Sequence, residues 1–188
     1  MKKLITIILI LAMLLPAAAL VESYSPALNM TMNEFIIKYN AVQAALNAPF
    51  SLLEKPYMWT QWNGYSVAWF RAEKNNKVTL LLMTKDPSDA QMLTSGLDRI
   101  EISIADEKEL IPLISVTNRC AGIFSYNLFG TSFSGKRISD LICYYYENNY
   151  KEKDYSAYVD LDEDGKIALV LFYSNGFIFQ IYPMEEVK

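Results

Sequence analysis

Two Asx-Gly dipeptides near the carboxyl end leave the chain few ways to fold. Three runs rich in β-branched and aromatic residues, 155–162, 166–174 and 177–182, are separated by Asp164-Gly165 and Asn175-Gly176. Such dipeptides supply the two positive φ angles of a type I′ turn, so the pattern predicts a three-stranded antiparallel meander. If each dipeptide is a two-residue loop, Ala157, Val159, Leu161, Ala168, Val170, Phe172, Phe179 and Ile181 share one apolar face, the expected core side. The opposite face then carries Tyr158, Asp160, Asp162, Ile167, Leu169, Leu171, Tyr173, Ile178, Gln180 and Tyr182. That second face is tyrosine-rich and too apolar for idle exposure.

The same turn chemistry recurs upstream. Asn63-Gly64 divides residues 57–70 into a hairpin that pairs Trp62 with Tyr65 and Met58 with Trp69 on one face, and Tyr57 with Phe70 on the other. A second hairpin through Asn75-Asn76 leads into a strand at 78–84, and 85–96 reads as a loop broken by Pro87 and Gly96. Residues 99–105 alternate strictly, with Ile100, Ile102 and Ile104 set against Arg99, Glu101 and Ser103, as a half-buried strand requires.

Helices are signalled by caps and by period. Thr31 and Glu34 form a capping box ahead of Met32, Phe35, Ile36, Tyr39, Val42 and Leu46 at helical spacing, and Pro49 ends that helix. A second is expected within 107–124 with Asp106 as its cap and Pro112 as an alternative start. A third spans Ile138, Leu141, Ile142 and Tyr145, ending near Asn148-Asn149. The expected fold is therefore α+β, a single antiparallel sheet of five to seven strands with two or three helices mainly on one face.

Each half of this layout is a helix leading into antiparallel strands, and Met32 to Asn40 followed by Tyr65-Ser66 is similar to Ile138 to Asn148 followed by Tyr155-Ser156. An internal duplication would give that pattern. In its order of elements over residues 31–183 the chain resembles β-lactamase-inhibitor-protein-like and TATA-binding-protein-like architectures. No family motif accompanies the likeness, so it implies a fold and transfers no functional residue.

The amino terminus has a separate logic. Lys2 and Lys3 precede an apolar run at 4–15, Pro16 and the small residues Ala17, Ala18 and Ala19, the pattern of a secretory signal peptide cleaved after Ala19. The run is shorter than the roughly 20 residues a membrane-spanning helix needs. We therefore expect residues 1–19 as signal peptide, 20–30 as linker and 31–188 as one domain in a protein secreted or otherwise extracytoplasmic, with a bacterial style of signal.

Charge and residue types narrow the function. Of 17 basic and 21 acidic residues, cleavage after Ala19 removes Lys2 and Lys3, leaving 15 against 21 and a net charge of −6. The basic residues are scattered, so neither nucleic acid nor an anionic membrane surface is an expected partner. The chain contains no histidine, which excludes Ser-His-Asp and Cys-His nucleophiles and most zinc enzymes. Cys120 and Cys143 either form a disulfide, worth about 3 kcal/mol, or pack as reduced thiols.

Two motifs fall short of their chemistry. Residues 130–136 fit a phosphate-binding loop, but Arg137 stands where a Ser or Thr must ligate magnesium. Asp160, Asp162, Asp164 and Gly165 fit the opening of an EF-hand loop, but Leu171 stands where the closing glutamate belongs. No cofactor or metal is expected. The second sheet face is the candidate site, with Tyr158, Leu169, Leu171, Tyr173, Ile178 and Tyr182 as its residues and a protein or glycan at the cell exterior as its partner. That face is either open or a covered core layer. A small hydrolase using carboxylates and a carrier of lipid or small molecules are the competing readings.

Overall fold

The computed structural model describes residues 26–46, 53–72, 77–85, 92–104, 106–124, 141, 143, 155–160, 166–173 and 176–184. The amino-terminal segment, the 130–137 loop, Asp162, Asp164-Gly165 and Asn175 lie outside these residues, as does the expected helix after Ile138 apart from Leu141 and Cys143.

The fold is α+β. Among the described residues seven strands, β1 (Met58–Trp62), β2 (Tyr65–Arg71), β3 (Val78–Thr84), β4 (Arg99–Ile104), β5 (Tyr155–Asp160), β6 (Ile167–Tyr173) and β7 (Phe177–Pro183), form one sheet in the order β1-β2-β3-β4-β7-β6-β5. Every pairing is antiparallel. The sheet is two meanders joined where β4 meets β7.

Helix α1 (Met32–Leu46) begins at the expected capping box. The Thr31 N–H donates to Glu34 Oε2 at 2.7 Å, and the Glu34 N–H donates to Thr31 Oγ1 at 3.1 Å. The Thr31 backbone bond, followed by that of its hydroxyl, holds the Glu34 carboxyl below its usual range. Two more of the amides that a helix start leaves orphaned find carbonyls in the segment before β4: Met32 N–H donates to Ser95 O and Asn33 N–H to Leu93 O. Helix α2 (Leu110–Phe124) follows a 3₁₀ turn, Glu107–Glu109, in which the Lys108 N–H donates to the Asp106 carboxylate. Pro112 sits in the first turn of α2, where its missing N–H costs nothing.

Both helices pack on one face of the sheet. Phe35 and Tyr39 from α1, with Leu113, Val116 and Cys120 from α2, meet the inward residues of β2, β3, β4, β6 and β7 in one core. Phe35 stacks on Phe124 at 6.3 Å, while Tyr39 faces Arg119 and Cys120, so the helices run antiparallel. Cys120 and Cys143 are free thiols, the first buried and the second exposed. Burial pushes the Cys120 thiol well above its ordinary pKa and leaves it a neutral packing group.

The carboxyl-terminal register departs from expectation by one residue at each turn. Leu169 pairs with Val159 and Ile181, and Leu171 pairs with Ala157 and Phe179, which a two-residue loop at 164–165 or at 175–176 would not produce. Two slips cancel between β5 and β7, so only β6 changes face. Leu169, Leu171 and Tyr173 turn toward the helices, and Ala168, Val170 and Phe172 take the second face. Packing explains the choice: Leu169 and Leu171 fill the helix-covered core that Ala168 and Val170 would leave partly empty.

Residues 26–30, expected within a linker, are tied into the domain. Leu28 is buried, its N–H donates to Leu97 O, and the Leu97 N–H donates to Met30 O. Asp98 completes the tie, accepting from the Ala27 N–H at 2.9 Å and the Lys85 N–H at 2.5 Å.

Candidate functional site

The second sheet face is built in lateral rows fixed by strand register. Met58, Trp69, Leu81, Glu101, Gln180 and Val170 lie in one row across six strands, and Tyr158 of β5 is paired with Val170 at its end. Thr60, Val67, Met83 and Arg99 form the next. Row on row, the face divides into two apolar patches with a polar stripe between them.

One patch belongs to β2 and β3, where Tyr65, Val67, Leu81 and Met83 are buried and Trp69 packs against them. The other belongs to β6 and β7, where Ala168, Val170 and Tyr182 are buried with Phe172 and Met184 alongside. Between them run Arg99 and Glu101 of β4 and Gln180 of β7. The Arg99 guanidinium lies 5.3 Å from the ring of Tyr65 and 4.6 Å from the ring of Tyr182, so one cation joins the two patches. Lys85 adds a second cation over Tyr65 at 4.9 Å. Gln180 Nε2 donates to Glu101 Oε2 at 2.8 Å. Burial pushes the Glu101 carboxyl above its usual range, against the opposing pull of the Gln180 bond and of Arg99.

Of the six residues expected on this face, the structure keeps Ile178 and Tyr182 there and pairs Tyr158 with Val170. Leu169 and Leu171 are wholly buried in the helix-covered core, and Tyr173 packs edge-on against Phe177 at 5.4 Å beside it. The expectation failed for those three because all of β6 is apolar. Its sequence alternation carries no face signal, so loop length alone had to set it.

Exposure rises at the other end of the sheet. Met58 is 40% exposed and Trp62 47%, both on the outer strand β1, and Tyr57 just before it is 48% exposed beneath the Arg71 guanidinium. The Asn63-Gly64 turn holds this strand in place, with φ of 48° and 79° as a type I′ turn demands. Trp69 Nε1 donates to Thr60 Oγ1 at 2.7 Å, fastening β2 to β1 from the side-chain layer. The sequence paired Met58 with Trp69 and Trp62 with Tyr65 as the structure does, whereas Tyr57, expected opposite Phe70, donates its N–H to Trp69 O; what the sequence lacked was the exposure of these residues relative to the rest of the face. Arg99 and Glu101 were legible as the polar side of an alternating strand, but not as the bridge between two patches.

Among the described residues no group of three His, Cys, Asp or Glu side chains can hold a metal ion. The side chains this face exposes are a methionine and a tryptophan, with the cation-capped ring of Tyr57 beside them. Comparison with protein families, with curated proteins and with solved structures finds no match.

Proposed function

We propose that the chain is exported and acts as a non-catalytic binding protein, engaging a protein or glycan outside the cell through the aromatic end of the second sheet face. The observation that carries this reading is the exposure of Met58 and Trp62 on a strand whose neighbours on the same face, Tyr65 and Val67, are buried and Trp69 partly so. A half-exposed tryptophan on a rigid hairpin offers large contact area at little entropic cost. The reading therefore rests on β1 and β2, with Ile178 and Tyr182 in the more buried remainder of the face. The amino-terminal pattern of two lysines, an apolar run and Ala17-x-Ala19 supports export.

The test uses fluorescently labelled protein on intact bacterial cells and on a glycan array. Trp62→Ala should weaken binding at least tenfold, the loss expected of a central aromatic anchor, while the melting temperature stays within about 2 °C of the parent. Equal binding by the parent and by Trp62→Ala would overturn the proposal. A carboxylate-dependent hydrolase is the competing reading, favoured by the raised pKa of Glu101. Turnover of any substrate that Glu101→Gln abolishes would replace the binding reading with it.

A further inference from the structure

Among the described residues the sheet has two outer strands, β1 and β5, and they differ in how they are protected. Natural sheets shield an edge with charge, proline or a bulge. The β5 strand ends in Asp160 and is flanked in sequence by Lys151, Glu152, Lys153 and Asp154 on one side and Asp162, Glu163 and Asp164 on the other. The β1 strand, Met-Trp-Thr-Gln-Trp, has no charge and no proline. Pro56 lies two residues before it and limits how far any further pairing could extend.

Hairpin parity fixes what β1 presents to its open side. A two-residue type I′ turn closes on a hydrogen-bonded pair, here Trp62 and Tyr65. Alternation then makes Thr60 with Val67 and Met58 with Trp69 hydrogen-bonded pairs, and turns the N–H and C=O of Trp59 and Gln61 outward.

We propose that β1 pairs antiparallel with β1 of a second copy of this chain, about a two-fold axis through Thr60, joining two sheets into one. In that register Trp59 meets the partner's Gln61 and Gln61 meets the partner's Trp59, and each pair exchanges both of its backbone bonds. Met58 falls opposite the partner's Trp62, placing together the two exposed apolar side chains of the strand. Thr60 meets its own symmetry mate on the axis, a favourable cross-strand pair. A two-fold axis sets every charge near it against its own sign, and β1 brings none, although the chain as a whole is acidic. The contact is small beside a standard interface of about 1,600 Å², so the dimer is weak and forms in the micromolar range or above. The inference does not rest on the binding proposal, since two copies can pair whether or not an external partner exists.

Sedimentation velocity on the exported chain, from about 5 to 500 µM, tests the pairing, the range being set by the small interface. A monomer–dimer equilibrium is expected, and Gln61→Pro, which removes an outward N–H and leaves the ladder to β2 intact, should weaken it at least tenfold. Register is tested by oxidation in a Cys143→Ser background. At the axial non-hydrogen-bonded pair the Cα atoms lie about 4.5 Å apart, within disulfide range, so Thr60→Cys should form a covalent dimer. Gln61→Cys should not, because its symmetry mate lies more than about 7 Å away. A monomer at every concentration, a dimer indifferent to Gln61→Pro, or equal cross-linking at both positions overturns the inference. If Gln61→Pro fails to fold, the pair of cysteine variants decides alone.

Discussion

Glu101 is a carboxylate placed where its charge is costly. Burial raises its pKa, so the folded chain holds the proton to higher pH than the unfolded chain does. Stability from this residue is therefore fully present below the ordinary carboxylate range and is lost as pH rises through the folded pKa. Glu101→Gln keeps an acceptor for Gln180 and removes the charge. Its melting temperature should exceed the parent's by roughly 2–4 °C at pH 7, and the gain should vanish near pH 4. A variant that melts below the parent at pH 7 would show that Arg99 more than offsets the burial. Asp98 has a structural role, its carboxylate joining three segments of chain through bonds from the Ala27 and Lys85 amides. Asp98→Ala leaves those donors without their acceptor and should cost about 1–3 kcal/mol, measured by denaturant midpoint. Neither role can be read at the residue itself. Glu101 and Gln180 are far apart in sequence, and nothing local to Asp98 announces Ala27.

At the scale of elements, the sequence reading succeeds wherever one side of a segment differs from the other. The Thr31 and Glu34 box, the strict alternation of β4 and the Asn63-Gly64 hairpin all appear as expected. It fails at β6, where Ile167, Leu169, Leu171 and Tyr173 are no more apolar as a set than Ala168, Val170 and Phe172. The corrected register has a direct consequence. Leu171→Ala should cost about 2–5 kcal/mol, and Tyr173→Ala, which would be cheap on an exposed face, should also be destabilising because Tyr173 packs on Phe177. A Tyr173→Ala midpoint equal to the parent's would argue for the original register. Gly176 marks where β7 begins beside the end of β4. Its φ is 156° and an added Cβ would lie 2.9 Å from the Ile104 carbonyl oxygen, so Gly176→Ala should cost about 1–3 kcal/mol in chemical denaturation.

For the whole molecule, the β4–β7 junction makes one sheet of two meanders, and both described helices lie on the same side of it. The proposed export rests on the amino-terminal sequence rather than on the fold: amino-terminal sequencing of an exported fraction should find a start at or near Leu20, and intact Met1 would contradict it. Among the described residues, the sequence by itself determined which stretches become helix or strand, that the sheet is antiparallel, and which residues flank the first hairpin. These follow from caps, period and turn residues acting over a few positions. Only the tertiary structure decided that β4 pairs with β7, that β6 shows its leucines to the helices, that residues 26–30 are held against the segment just before β4, and that Met58 and Trp62 of β1 are exposed on the second face. Each of these depends on filling a common volume and on loop lengths counted to the residue. An all-apolar strand can satisfy two registers locally, and the space beneath the helices accommodates the bulkier side of β6.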